Sequence, residues 1–285
     1  MSDLVARNAH VLDLQCDARG RALLIYRERN GRVVRLLLSG AINARPSSSP
    51  LPQTRFLKRY RGPSRIRDVS HSYSGPPLTM LVAARTLPDG SHWAVQAWRR
   101  MVPNYGFPPR NSLQAAVELH VSHWLGPLPV LEGYPCWAAS WGSDAHRLIG
   151  RLTYRGLPVH GRRSTAGGNP LELFGRNVRI DVRASPLNRR GWARENAILT
   201  HRPTGVFCYV LVPRRVRWAG KWRWSPAAVG DMYRLRVMGP GVTPVVETWI
   251  RDPGDWDPND SEKARKQERA KELLLRWDDR LCRPL

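Results

Sequence analysis

Arg21-Ala22-Leu23-Leu24-Ile25-Tyr26-Arg27-Glu28-Arg29, then Asn30-Gly31, then Arg32-Val33-Val34-Arg35-Leu36-Leu37-Leu38-Ser39-Gly40-Ala41: two apolar runs flank the dipeptide that best suits a two-residue hairpin turn. The pattern predicts an antiparallel pair whose second strand is mostly buried through Val33, Val34, Leu36, Leu37 and Leu38. A strand over 10–15 precedes it, across the turn Cys16-Asp17-Ala18-Arg19-Gly20. Leu78–Thr86 and Ser91–Met101 form a second hairpin around Pro88-Asp89-Gly90. Further strands are expected at 115–124, 129–139, 145–154, 177–184, 197–201, 206–213, 232–238 and 244–251, with glycine, proline and asparagine between them. No alternation of strands with long helices points to a parallel sheet. The expected fold is therefore all-β, an antiparallel sandwich or partly closed barrel.

One helix is expected at the C-terminus. Asp257-Pro258 supplies a capping carboxylate before proline at the first helical position. Ala264, Ala270, Leu273, Leu274, Trp277 and Leu281 then make one apolar stripe that docks on the β body. The expected organisation is one β domain over 1–257 with the helix of 258–285 packed on it. Within it, 45–77 forms an exposed excursion, with loop at Pro46–Pro52 and at Ser74-Gly75-Pro76-Pro77. Between those loops lies a basic-aromatic strand, Arg55-Phe56-Leu57-Lys58-Arg59-Tyr60-Arg61.

The 285 residues carry a formal net charge of +23, and only Lys58, Lys221, Lys263, Lys266 and Lys271 of the 46 basic residues are lysines. An arginine skew of this kind reflects a GC-rich genome as well as selection for binding. The field still attracts polyanions, and guanidinium forks suit phosphate and carboxylate. No run reaches the roughly 18 apolar residues of a membrane-spanning helix. Normal apolar content and 12 tryptophans exclude a disordered basic tail. The start Met1-Ser2-Asp3-Leu4-Val5-Ala6-Arg7 has no leader pattern. Cys16, Cys136, Cys208 and Cys282 show no zinc spacing. Cys208, in an apolar run, reads as a buried thiol. A bridge through Cys282 would tie the helix to the body in an oxidising compartment.

The strongest chemical signal is Arg214-Arg215-Val216-Arg217-Trp218-Ala219-Gly220-Lys221-Trp222-Arg223-Trp224, five cations and three tryptophans in eleven residues. Folded about Ala219-Gly220, it makes a hairpin with one basic and one aromatic side. Such a surface suits membrane interfaces, stacked nucleobases or anionic sugars. The same alternation also fits indoles packed in a core with arginines in water.

Glu118-x-His120-x-Ser122 puts three polar residues on one strand face, either a polar cleft floor or ordinary hydrogen-bonded sheet residues. On a strand His123 points the other way, so His120 and His123 share no metal-binding face. Arg194-Glu195-Asn196, expected in a loop, and His201 form a second candidate constellation. Glu132, Asp144, Asp181 and Glu195 are carboxylates from which a glycosidase pair could be drawn. Gly-x-Ser-x-Gly is absent, Cys136 and Cys208 lack a protease signature, and Gly167-Gly168-Asn169-Pro170 lacks the Walker lysine. No cofactor or metal is implied.

Six segments form a recognisable set: 88–98, 118–124, 150–156, 194–196, 201–209 and 239–244. Together they resemble a group of uncharacterised, mostly secreted proteins of GC-rich, actinobacteria-like genomes, over nearly the whole chain from about residue 10. The group has no established activity, so no catalytic residue carries over. The resemblance implies export. The expected function is non-enzymatic binding of an anionic polymer such as a cell-wall glycan, with Arg214, Arg215, Arg217, Trp218, Lys221, Trp222, Arg223 and Trp224 as contacts. Intracellular nucleic-acid binding and glycan hydrolysis, through Glu118, His120, Glu195 or His201, are the alternatives.

Overall fold

A computed structural model describes residues 3–40, 57–99, 116–137, 146–154, 156–158, 178–182, 194–198, 200–201, 203–211, 215–218, 221–224, 232–237, 244–254, 256–277, 280 and 282. The protein is all-β and sandwich-like, with antiparallel sheets, one C-terminal helix and no closed barrel among the described residues.

The N-terminal half contains β1 (Asp3–Arg7), β2 (His10–Cys16), β3 (Ala22–Arg27), β4 (Val33–Ser39), β5 (Leu57–Arg59), β6 (His71–Ser72), β7 (Leu81–Thr86), β8 (His92–Arg99) and β9 (Val117–Trp124). They form two sheets, ordered β2-β3-β4-β5 and β1-β9-β8-β7-β6. Period-two alternation decides which residues are inside. Leu14, Leu24, Tyr26, Val34, Leu36 and Leu38 of the first sheet meet Trp93, Val95, Leu119 and Val121 of the second. The hairpin expected around Asn30-Gly31 is present, but its loop is three residues, 29–31, and not two: the Glu28 N–H donates to the Arg32 carbonyl and, within the loop, only Gly31 takes positive φ, at 86.

The expected excursion over 45–77 is described from residue 57. There the chain pairs β5 with β4 and β6 with β7, so it bridges the edges of the two sheets. Asp68 receives the Cys16 N–H at 3.0 Å on the way. β1 was not among the expected strands. It pairs with β9, more than a hundred residues away, and Asp3–Arg7 has no local periodicity to announce it.

The C-terminal half contains β10 (Val130–Trp137), β11 (His146–Tyr154), β12 (Leu157–Pro158), β13 (Val178–Val182), β14 (Arg194–Ile198), β15 (Val206–Leu211), β16 (Arg215–Trp218), β17 (Lys221–Trp224), β18 (Met232–Val237), β19 (Glu247–Arg251) and the helix α1 (Ser261–Trp277). β10 and β15 flank β11 in one sheet, and β14-β13-β18-β19 form another. Leu148 and Phe207 of the first face Val178, Tyr233, Leu235 and Ile250 of the second. The helix covers the opposite face of the first sheet. There Ala270, Leu273, Leu274 and Trp277 pack on Ile149, Val206, Cys136 and Cys282.

The apolar interior is thus divided between two sandwiches. Gln96, fully buried on β8, joins them: its Nε2 donates to the Val245 carbonyl at 3.0 Å and its Oε1 accepts the Val245 N–H at 3.0 Å.

Two local expectations are corrected. The helix is capped by Asp260, not Asp257: Asp260 Oδ1 accepts the N–H groups of Glu262 and Lys263 at 2.9 and 3.2 Å. Asp257 instead caps a turn through the Asn259 N–H, which holds Pro258 ahead of the helix. Arg194-Glu195-Asn196 is strand, not loop, because β14 pairs along its length with β13. Among the described residues no helix is long and apolar enough to cross a membrane.

Candidate functional site

β9 alternates between the core and the opposite face. Leu119 and Val121 enter the core, whereas Glu118, His120, Ser122 and Trp124 share the other side. Glu118 is 2% exposed and sits between two donors. Arg7 Nε reaches its Oε1 at 3.0 Å, and His120 Nε2 lies 3.1 Å from its Oε2. The structure therefore joins Glu118 to His120, as the spacing suggested, and adds Arg7. Sequence reasoning missed Arg7 because β1 reaches β9 by a pairing that leaves no local trace. Ser122 Oγ and Trp124 Nε1 are buried with no hydrogen-bond partner among the described residues.

His123 faces inward, stacked on Trp93 with ring centroids 4.2 Å apart. Its Nδ1 lies 2.8 Å from the Gly40 carbonyl and its Nε2 3.2 Å from Ser91 Oγ. Burial pushes this imidazole below its ordinary pKa, against the Gly40 carbonyl and Asp89. Ser91 Oγ donates to Asp89 Oδ1 at 2.6 Å. The carboxylate therefore engages the serine and not the imidazole, the reverse of a nucleophilic Ser-His-Asp relay. The group locks the β7–β8 turn against β9.

Glu195 and His201 are placed apart from that cluster. His201 lies on the turn after β14, its Nδ1 3.0 Å from Thr204 Oγ1 and its backbone bonded to Val206 and Gly205. Glu195 pairs across β14–β13 with Asp181, which pairs across β13–β18 with Arg234 and onward with Trp249 of β19. Of the four carboxylates named above, Asp181 and Glu195 are thus direct cross-strand neighbours. Arg234 lies 5.7 Å from the Trp249 ring centroid, in cation–π geometry. Glu132 is elsewhere, on β10, and Asp144 lies outside the described residues.

The basic-aromatic segment is a two-stranded ribbon. Its register pairs Arg215 with Trp224, Val216 with Arg223, Arg217 with Trp222 and Trp218 with Lys221. Directly paired residues share a face. One face thus combines Arg215, Arg217, Trp222 and Trp224, and the other Val216, Trp218, Lys221 and Arg223. The expected split into a basic and an aromatic side is corrected by this register. Among the described residues the ribbon pairs with no other sheet. Arg214 lies outside the described residues.

Cys16, Cys136, Cys208 and Cys282 are thiols, none in a disulfide. Cys208 is half-buried, and it packs with Cys136 and Cys282 in the cluster beneath α1. Among the described residues no three His, Cys, Asp or Glu side chains converge to hold a metal ion. Compared with family models, curated proteins and solved structures, the chain has no match.

Proposed function

We propose that this is a non-enzymatic binding protein for an anionic polymer, an exported or envelope-associated one that binds a cell-wall or extracellular glycan. The β16–β17 register carries the reading: it sets cations beside tryptophans on both faces of one ribbon. A strand buried on one side separates these two types, but this ribbon mixes them. Mixed faces offer flat apolar area for a sugar ring beside guanidinium groups for its charge. No acidic residue occurs between Glu195 and Asp231, so the ribbon's own stretch of sequence carries only positive charge. The helix differs: Lys266 pairs with Glu262, Lys271 with Glu268 and Arg269 with Glu272. The exported location is proposed on the resemblance of the six sequence segments alone.

Nucleic acid is the second reading, because a two-stranded ribbon fits the major groove and indoles stack on bases. The two separate in pull-down and titration against purified cell wall, a heparin-like polymer and duplex DNA. Preferential, indole-dependent binding to wall glycan, lost in Trp222→Ala/Trp224→Ala, supports the leading reading. Binding to DNA alone overturns it in favour of the second. Glycan turnover abolished by Glu195→Gln or Asp181→Asn would overturn the non-enzymatic reading.

A further inference from the structure

One end of the N-terminal sandwich holds an open concavity of about 460 Å³, built from β1, the β3–β4 turn, the start of β4 and the residue after β5. This volume is in the range of small-ligand sites. Its floor is apolar: Val5, Val34 and the nearly buried Tyr26. Its rim carries Arg7, Arg29, Arg32, Glu28 and Tyr60, and Tyr60 is 52% exposed.

Each element places its rim residue for a physical reason. Arg29 and Arg32 flank the Asn30-Gly31 turn, fixed by Asn30 Oδ1 accepting the Arg32 N–H at 3.0 Å. Lys58 donates to the Leu4 carbonyl at 3.0 Å, which draws β5, and Tyr60 after it, beside β1. Arg7 is held by Glu118 through Nε, which leaves its two Nη groups for another acceptor. Glu118 is therefore a positioning residue: buried and tied to His120, it aims a guanidinium at the concavity without entering it. Arg29, Arg32 and Glu28 form no ion pair among the described residues, so the rim is left with a surplus of positive charge.

We infer that this concavity binds a phosphate monoester carried on a ring, the shared chemistry of a sugar phosphate and a mononucleotide. The three guanidinium groups take the phosphate oxygens in forked geometry. A monoester carries about −1.5 to −2 charges at neutral pH; Arg29 and Arg32 meet it against Glu28, and Arg7 adds its two Nη donors while its charge is shared with Glu118. The exposed Tyr60 ring covers one face of the ligand ring, and the Glu28 carboxylate accepts a ring hydroxyl. The site is independent of the β16–β17 ribbon, and its test uses different ligands and residues.

Isothermal titration calorimetry of the full chain at low salt tests it, with glucose 6-phosphate, AMP, inorganic phosphate and methyl glucoside as probes. The wild type is expected to bind at least one ring phosphate more tightly than inorganic phosphate, and methyl glucoside not at all. The preference between the first two probes identifies the source. Arg29→Ala/Arg32→Ala, both on the surface, should weaken binding by about tenfold or more, as lost charge-assisted bonds do. Tyr60→Ala should bring the ring phosphate down to the level of inorganic phosphate. Glu118→Gln should weaken it severalfold while circular dichroism stays unchanged. No binding of any phosphate by the wild type, or binding undiminished in Arg29→Ala/Arg32→Ala, overturns the inference.

Discussion

Arg7 and Glu118 meet at 3.0 Å across the β1–β9 pair, and they bind the start of the chain to the inner strand of a five-stranded sheet. The two ends of this pair are unequal. Arg7 is 44% exposed at its side chain, whereas Glu118 is 3% exposed. Arg7→Ala takes one of two donors from a buried carboxylate and leaves it to His120, while Glu118→Gln leaves a guanidinium that water can reach. The first substitution should therefore cost more, about 2–4 kcal/mol against about 1–2 kcal/mol. Urea unfolding of both variants measures the order, and a larger loss in Glu118→Gln contradicts it.

The His123 cluster sets the acid limb of stability. Burial lowers the His123 pKa from 6.5, and burial likewise lowers that of His92. The unfolded chain therefore takes up these protons first, and stability falls as pH drops below about 6.5. Hydrogen bonds from Ser91 lower the Asp89 pKa from 3.8, so a further loss follows as pH falls below that value. Denaturant midpoints between pH 7.5 and 5 should decline in the wild type and decline less in His123→Gln, with the remainder due to His92. An equal slope in both proteins refutes the assignment.

Gly150 stands where no side chain fits. A Cβ there would overlap the Glu132 carbonyl and the Phe207 ring across β10–β11–β15. Gly150→Ala should cost about 3 kcal/mol or more. Adding Phe207→Leu should recover only part of it, because the backbone clash remains. Thermal melts of the single and double variants check both statements.

Gln96 is the polar clasp between the sandwiches. Gln96→Leu leaves the Val245 N–H and carbonyl without their partner and should cost about 2–4 kcal/mol. The two halves should then unfold in separate steps, seen as a biphasic calorimetric trace. A single transition at the wild-type temperature would show that the clasp is dispensable.

The sandwich strands were legible because each carries its own alternation and turn. Leu24, Tyr26, Leu36 and Leu38 declare their face within one hairpin. β1 was not legible, since its stability comes from a partner far along the chain. The shift of β14 onto Arg194-Glu195-Asn196 has a similar cause: its polar residues look like loop until β13 is seen beside it. At the site, Glu118 with His120 followed from period two, but Arg7 and the concavity required tertiary pairing. The ribbon was visible as a hairpin, while its mixed faces depended on a register that composition cannot supply.

Salt dependence of polymer binding tests the ribbon most directly. Association with an anionic polymer should weaken as salt rises, and Arg215→Ala/Arg217→Ala should bind more weakly with a shallower dependence. With duplex DNA as the probe, each lost phosphate contact should remove about 0.9 from the log–log slope. A wild type that binds no polyanion at low salt, or a variant whose binding and slope match the wild type, would contradict the account.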